Sequence, residues 1–123
     1  MTLPSTQRPT PKRGEIWDVD FNPTIGAEIQ KVRPAVVVSS DAVGKLPIKL
    51  VAPVTEWQPT FAHSVWHVRI DPSQQNGLNK PSSVDALQLR GVDTQRFVRK
   101  RGSVPTAMME EIVAAIAAVV EYQ

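Results

Sequence analysis

Hydrophobic and polar positions alternate from Glu15 to Phe21, where Trp17, Val19 and Phe21 are separated by Asp18 and Asp20. That two-residue period predicts a half-buried strand opened by Gly14. The pattern changes at Val36-Val37-Val38, a continuous β-branched run between Pro34 and the turn-prone Ser39-Ser40-Asp41. This reads as a strand buried on both faces, or nearly so. Pro34 pushes Arg33 into an extended conformation, and lacking an N–H it suits the first residue of a strand. Arg33 is thereby held on constrained backbone at the lip of a core strand, with Glu28 and Lys31 at the entrance. Further strands are predicted over Ile48–Thr55, where Pro53 marks an edge or a bulge, and over Ser82–Leu89. A strand over His63–Ile70 would put Val65, His67 and Arg69 on one face and turn Ser64, Trp66, Val68 and Ile70 to the core. Phe97–Arg101 reads as a last edge strand.

The period lengthens only at the C-terminus. Pro105 suits a first helical position, Glu110 and Glu111 suit the positive N-terminal end, and no Gly or Pro interrupts the stretch up to Tyr122. Met108, Ile112, Ala115, Ile116, Val119 and Val120 make one apolar stripe, read as core or subunit contact. The expected fold is mostly β: a small, strongly bent antiparallel sheet or barrel with a C-terminal helix packed on it.

Composition narrows the function by exclusion. At 123 residues the chain is one domain. Residues 1–12, with Pro4, Pro9 and Pro11 and little to bury, are expected to be a disordered arm, leaving 13–123 as the domain. A net charge of +2 makes no case for nucleic acid on its own. Arg90, Arg96, Arg99, Lys100 and Arg101 form a late basic cluster with two readings: a charged edge strand that blocks aggregation, or a phosphate-tracking surface. Without cysteine there is no disulfide, thiolate nucleophile or cysteine metal site, and with two histidines zinc is not expected. No signal peptide or long apolar span is present, so a soluble, cytoplasmic protein without membrane contact is expected. P-loop, Gly-x-Ser-x-Gly, His-Glu-x-x-His and dinucleotide-binding motifs are absent, and no cofactor is expected. His63 and His67 read as parts of an exposed strand face rather than as proton-transfer groups. Arg33 carries two readings, a salt bridge to Glu28 or Asp85, or a two-pronged grip on a phosphate.

Gly14–Glu28, then Arg33-Pro34-Ala35-Val36-Val37-Val38-Ser39, resemble the MazF/PemK family of toxin endoribonucleases. The likeness continues through Val51–Thr55, Asn76-Gly77-Leu78 into Ser82, and Gln88–Phe97, and spans about residues 13–121. It implies an SH3-like barrel with a terminal helix, acting as a homodimer that cuts single-stranded RNA, often messenger RNA, at short sequences without a metal. The substrate's own 2′-hydroxyl would attack, leaving a 2′,3′-cyclic phosphate and a 5′-hydroxyl. The usual partner would be an antitoxin whose tail fills the RNA groove. Catalytic positions carry over to Arg33 and Thr55, with Glu28 alongside. In that scheme Arg33 holds the phosphate, Thr55 donates to it or relays a proton, and Glu28 accepts the 2′-proton or only orients Arg33. Lys31, Ser82, Asp85, Gln88 and Arg90 are the expected RNA-binding residues: Lys31 and Arg90 on the backbone, Gln88 on a base edge. Trp57 stacks on a base or packs in the core or an interface. One departure stands out: many relatives carry an acid just before the glutamine matched by Gln88, whereas this chain has Leu87. Asp85 is expected to substitute if residues 85–87 are strand. Two alternatives remain. One is a gyrase-poisoning toxin like CcdB, whose aromatic-glycine-aliphatic C-terminus differs from Glu121-Tyr122-Gln123. The other is a barrel that binds RNA without cutting it.

Overall fold

The computed structural model describes residues 10–43 and 46–122. Most of the expected arm, residues 1–9, lies outside the described residues. Within 10–12, Pro11 is fully buried and the Lys12 N–H donates to the Glu15 carboxylate at 2.8 Å, so this end of the stretch packs with the domain.

Seven strands occur among the described residues: β1 (Glu15–Asp20), β2 (Val32–Val37), β3 (Ile48–Glu56), β4 (His67–Ile70), β5 (Ser82–Asp85), β6 (Arg90–Asp93) and β7 (Phe97–Ser103). One α-helix among the described residues, α1 (Thr106–Val119), follows them. Every strand pair is antiparallel. The path runs β4-β5-β3-β2-β1-β7, with β6 also on β3. β4 and β7 end that path without meeting, so the strongly bent sheet expected as a barrel is open.

Pleating sorts the chain into two cores. Ile16, Val36, Val38, Ala52, Val54 and Val84 face Met109 and Ile112 of α1. Val19, Phe21, Ala35, Val37, Val51, Val92 and Phe97 fill the opposite face, which carries the site. The Val36-Val37-Val38 run thus divides between the two cores, as its unbroken hydrophobicity requires.

Three elements differ from expectation, each for a local reason. The strand expected from His63 starts only at His67, because Pro59–His63 closes into a 3-10 turn; Trp66 accordingly stays 36% exposed rather than entering the core. The strand expected over Ser82–Leu89 breaks after Asp85 into a 3-10 turn, Ala86–Gln88, before β6 resumes. That break lies against Pro53, which has no N–H to give the ladder. β3 is therefore a central strand whose partner bulges, not an edge. In α1, Pro105 is the N-cap rather than the first helical residue, Met109 takes the core position beside Ile112 and Ala115, and Val120 lies past the end, exposed.

β7 is an edge, and its charges have structural partners. Arg99 and Arg101 converge on the buried Asp18 carboxylate, and Lys100 pairs with Glu15 at 2.8 Å. Burial alone would raise the Glu15 carboxyl, but hydrogen bonds from Lys100, the Lys12 N–H and Trp17 hold it below its usual range. These three members of the late basic cluster thus hold β7 to β1. No helix among the described residues is long and apolar enough to cross a membrane.

Candidate active site

The site forms where β2 and β3 part. Their ladder joins Val37 to Val51, Val36 to Ala52 and Ala35 to Pro53, and then stops. Beyond it β2 continues on β1 through Arg33 opposite Val19, while β3 turns to β5 through Thr55 opposite Ser83. Arg33 and Thr55 therefore face each other across the gap, one pleat past Ala35 and Pro53 and on the same face. Arg33 is exposed, and its guanidinium has no hydrogen bond or ion pair with any described residue. The salt bridge to Glu28 or Asp85 anticipated as its structural role is not formed. Thr55 is half-buried at the rim. A cation and a hydroxyl brought to the two sides of one gap suit a tetrahedral oxyanion.

Beside this gap lies a cleft of about 460 Å³, lined by Phe21, Glu28, Ile29, Pro53, Gln88 and Arg90 among others. One wall is the connection from β1 to β2, which is tied down at several points. Arg96 Nη1 donates to the Asp20 carbonyl at 3.0 Å and also to that of Asn22, and Arg90 Nη1 donates to the Phe21 carbonyl at 3.1 Å. The Lys31 N–H donates to Asn22 Oδ1 at 3.1 Å, and Lys31 adopts a left-handed φ of 68° to do so. The Ile29 N–H donates to Gln88 Oε1 at 2.7 Å.

These bonds revise several expected roles. Glu28 lines the cleft, but its Oε1 accepts the Ile25 N–H at 2.6 Å, so half of the carboxylate closes its own turn. Lys31 is exposed at the mouth. Arg90 reaches the cleft, yet one of its nitrogens is engaged by the Phe21 carbonyl and the guanidinium lies 5.8 Å over the Phe21 ring. Ser82 is buried, and its hydroxyl donates to the Lys80 carbonyl at 2.8 Å. Asp85 does not share a strand face with Leu87. Residues 86–88 are a 3-10 turn, where strand alternation does not hold, and the Asp85 carboxylate caps that turn through the Leu87 N–H at 3.0 Å. Leu87 itself projects outward, exposed, at the cleft wall.

Two features of the site lie outside the sequence-based expectations. Arg96 anchors the start of the connecting loop, with no signal in the sequence to single it out from its basic neighbours. The 3-10 turn did have one: Asp85-Ala86-Leu87-Gln88 carries an N-cap acid followed at the third position by glutamine, the spacing of a helix start. On the far side of β5, His67 stacks on Phe61 with centroids 3.7 Å apart and its Nδ1 lies 3.0 Å from Ser83 Oγ. Burial lowers its pKa, outweighing the opposing charge of Asp85. Trp57 packs edge-on against Phe61 and beneath Arg69, so it belongs to this cluster rather than to a core. Among the described residues no group of three or more His, Cys, Asp or Glu is placed to hold a metal ion.

Comparison with known proteins adds the following. Residues 12–120 match the family described as the PemK-like, MazF-like toxin of type II toxin–antitoxin systems. The chain is 32% identical over 111 residues to endoribonuclease MazF9 of Mycobacterium tuberculosis, covering 85% of this chain and 92% of that one. It is 31% identical over 106 residues to endoribonuclease EndoA of Bacillus subtilis, covering 85% and 90%. Among solved structures, MazF from Deinococcus radiodurans superposes with a TM-score of 0.75 at 23% identity over 90% of this chain and 96% of that one. An endoribonuclease in complex with its cognate antitoxin from a mycobacterial species gives 0.73 at 17% identity, over 93% and 98%.

Proposed function

From the premise that this chain belongs to the PemK-like, MazF-like toxin family of type II toxin–antitoxin systems, we propose that it is an endoribonuclease that cuts single-stranded RNA by internal transesterification. The observation that carries the reading is Arg33: an exposed guanidinium with no partner among the described residues, on rigid backbone, across a gap from Thr55. The 2′-oxygen attacks the adjacent phosphorus as its proton leaves, and the P–O5′ bond breaks as that oxygen gains a proton. The products are a 2′,3′-cyclic phosphate and a 5′-hydroxyl. Arg33 neutralises the non-bridging oxygens of the crowded phosphorane, an electrostatic role worth roughly 10²- to 10³-fold in rate. Thr55 donates to the same oxygens. Glu28 accepts the 2′-proton through the carboxylate oxygen that its own turn leaves free; arginine, with a pKa above about 12, is no base. The route requires no metal. The cleft beside Arg33 is also the surface for the acidic, aromatic tail of an antitoxin, and the working unit is a homodimer.

The test is a defined RNA with and without EDTA, followed by mapping of the ends. Cuts that survive EDTA, end in a cyclic phosphate and vanish with a single 2′-deoxy substitution at the scissile position support the reading. Cleavage of that substituted substrate would sink it. RNA that is bound but left intact points to a binding module instead.

A further inference from the structure

The side chain expected to read a base, Gln88, has both ends of its amide engaged within the protein. Its Oε1 accepts the Ile29 N–H at 2.7 Å and its Nε2 donates to Asp85 Oδ2 at 3.1 Å. The orientation follows from the partners: a backbone N–H only donates and a carboxylate only accepts. Asp85 is itself fixed. It is 6% exposed, and its other oxygen takes the Leu87 N–H at 3.0 Å. The result is a chain of bonds from a buried carboxylate, through Gln88, to the middle of the β1–β2 connection. Ile29 is the next residue after Glu28, and Glu28, Ile29 and Gln88 all line the cleft.

We infer that Gln88 is a positioning residue, whose amide is the strap that holds the β1–β2 connection and its Glu28 over the cleft, with Asp85 setting the amide's direction. Among the described residues, the other hydrogen bonds to Glu28 come from its own turn, through the Ile25 N–H and carbonyl. The strap sets where that turn sits relative to β3. The effect on rate rests on the endoribonuclease reading; the strap itself does not.

The pair allows a swap of donor and acceptor. In Asp85→Asn the new amide keeps its oxygen on the Leu87 N–H and turns an NH2 toward the Gln88 NH2, which breaks the strap. Adding Gln88→Glu restores it, since the carboxylate introduced at position 88 accepts both from the new amide at position 85 and from the Ile29 N–H. The experiment measures exchange of the Ile29 amide hydrogen by NMR, together with RNA cleavage, in wild type, Gln88→Ala, Asp85→Asn and the double variant. The strap predicts Ile29 exchange about fivefold faster or more in both single variants, the worth of one hydrogen bond. Asp85→Asn has this effect although residue 85 does not touch Ile29. The double variant should return to near wild-type exchange and regain cleavage. Unchanged Ile29 exchange in Gln88→Ala overturns the inference. So does a double variant with restored exchange but a cleavage rate as low as that of Gln88→Ala, since Gln88 would then be reading a base. Should wild type cut no RNA, the enzyme reading fails while the exchange pattern still decides the strap.

Discussion

Arg33→Ala should leave the fold intact and remove most of the activity, whereas Arg101→Ala should do the reverse. The two arginines differ in what they touch. Arg33 is exposed without a partner among the described residues, so its loss costs little stability, within about 0.5 kcal/mol. The Arg101 side chain is only 20% exposed; its Nε donates to Asp18 Oδ1 at 2.6 Å and its Nη1 to the Gly77 carbonyl at 3.0 Å. A hydrogen bond to a charged group contributes about 1.5–3 kcal/mol. Arg99 stays on the same carboxylate and offsets part of the loss. A net cost of about 2–3 kcal/mol lowers the melting temperature by roughly 10 °C in a domain of this size. On the active-site side, losing one preorganised oxyanion contact costs about 10²- to 10³-fold in rate. Arg33→Lys should fall between, because an ammonium keeps the charge but not the two-pronged geometry. The assay pairs a thermal melt with initial cleavage rates taken well below either midpoint. An Arg33→Ala variant that melts several degrees early would overturn this division of roles. A cleavage defect in folded Arg101→Ala as large as that of Arg33→Ala would refute it equally.

Three further outcomes follow from local geometry. Gly102→Ala would put a Cβ 2.1 Å from the Gln75 carbonyl oxygen and 2.8 Å from the Asn76 carbonyl carbon, backbone atoms that cannot swing aside; a loss of about 3 kcal/mol should appear as a lower urea midpoint. Lys31→Gly relieves a left-handed φ of 68° worth roughly 1–2 kcal/mol but adds unfolded-chain entropy. A net gain of about 0.5 kcal/mol in urea unfolding is expected, with weaker RNA binding from the lost charge at the cleft mouth. His67 has its pKa lowered by burial, against the opposing pull of Asp85, so the folded state takes up its proton less readily than the unfolded chain. Its contribution to stability is complete above the ordinary value of 6.5 and is lost as pH falls through the lower folded value. His67→Gln should therefore lose less stability than wild type between about pH 8 and pH 5, read from urea midpoints at each pH.

The parts of the molecule legible in its sequence are those where one physical cause dominates. The Val36-Val37-Val38 run had to be buried on both sides, and Pro34 had to extend Arg33; both hold. The apolar spacing toward the C-terminus had to be a helix. What the chain concealed were choices among chemically equal residues. Five late basic residues look alike along the chain, yet Arg99 and Arg101 take Asp18, Lys100 takes Glu15, and Arg90 and Arg96 hold backbone carbonyls near the end of β1. Those partners lie far away in sequence, at separations such as 69 and 76, where no local pattern reaches.

Pro53 shows how a legible signal becomes a functional feature only in three dimensions. From the sequence it marks a ladder that must break. In the fold the strand that would have paired there, β5 to β6, bulges out as the turn Ala86–Gln88. The bulge carries Gln88 to the cleft wall and Asp85 beneath it, and the same proline forms part of the cleft beside Arg33 and Thr55. A missing N–H in β3 thus accounts for the open wall of the site and for the strap across it. Replacing Pro53 with valine would return that donor to the ladder. The expected result is a tighter β3–β5–β6 junction, slower amide exchange at residues 86–88, and a narrower cleft that binds RNA less well.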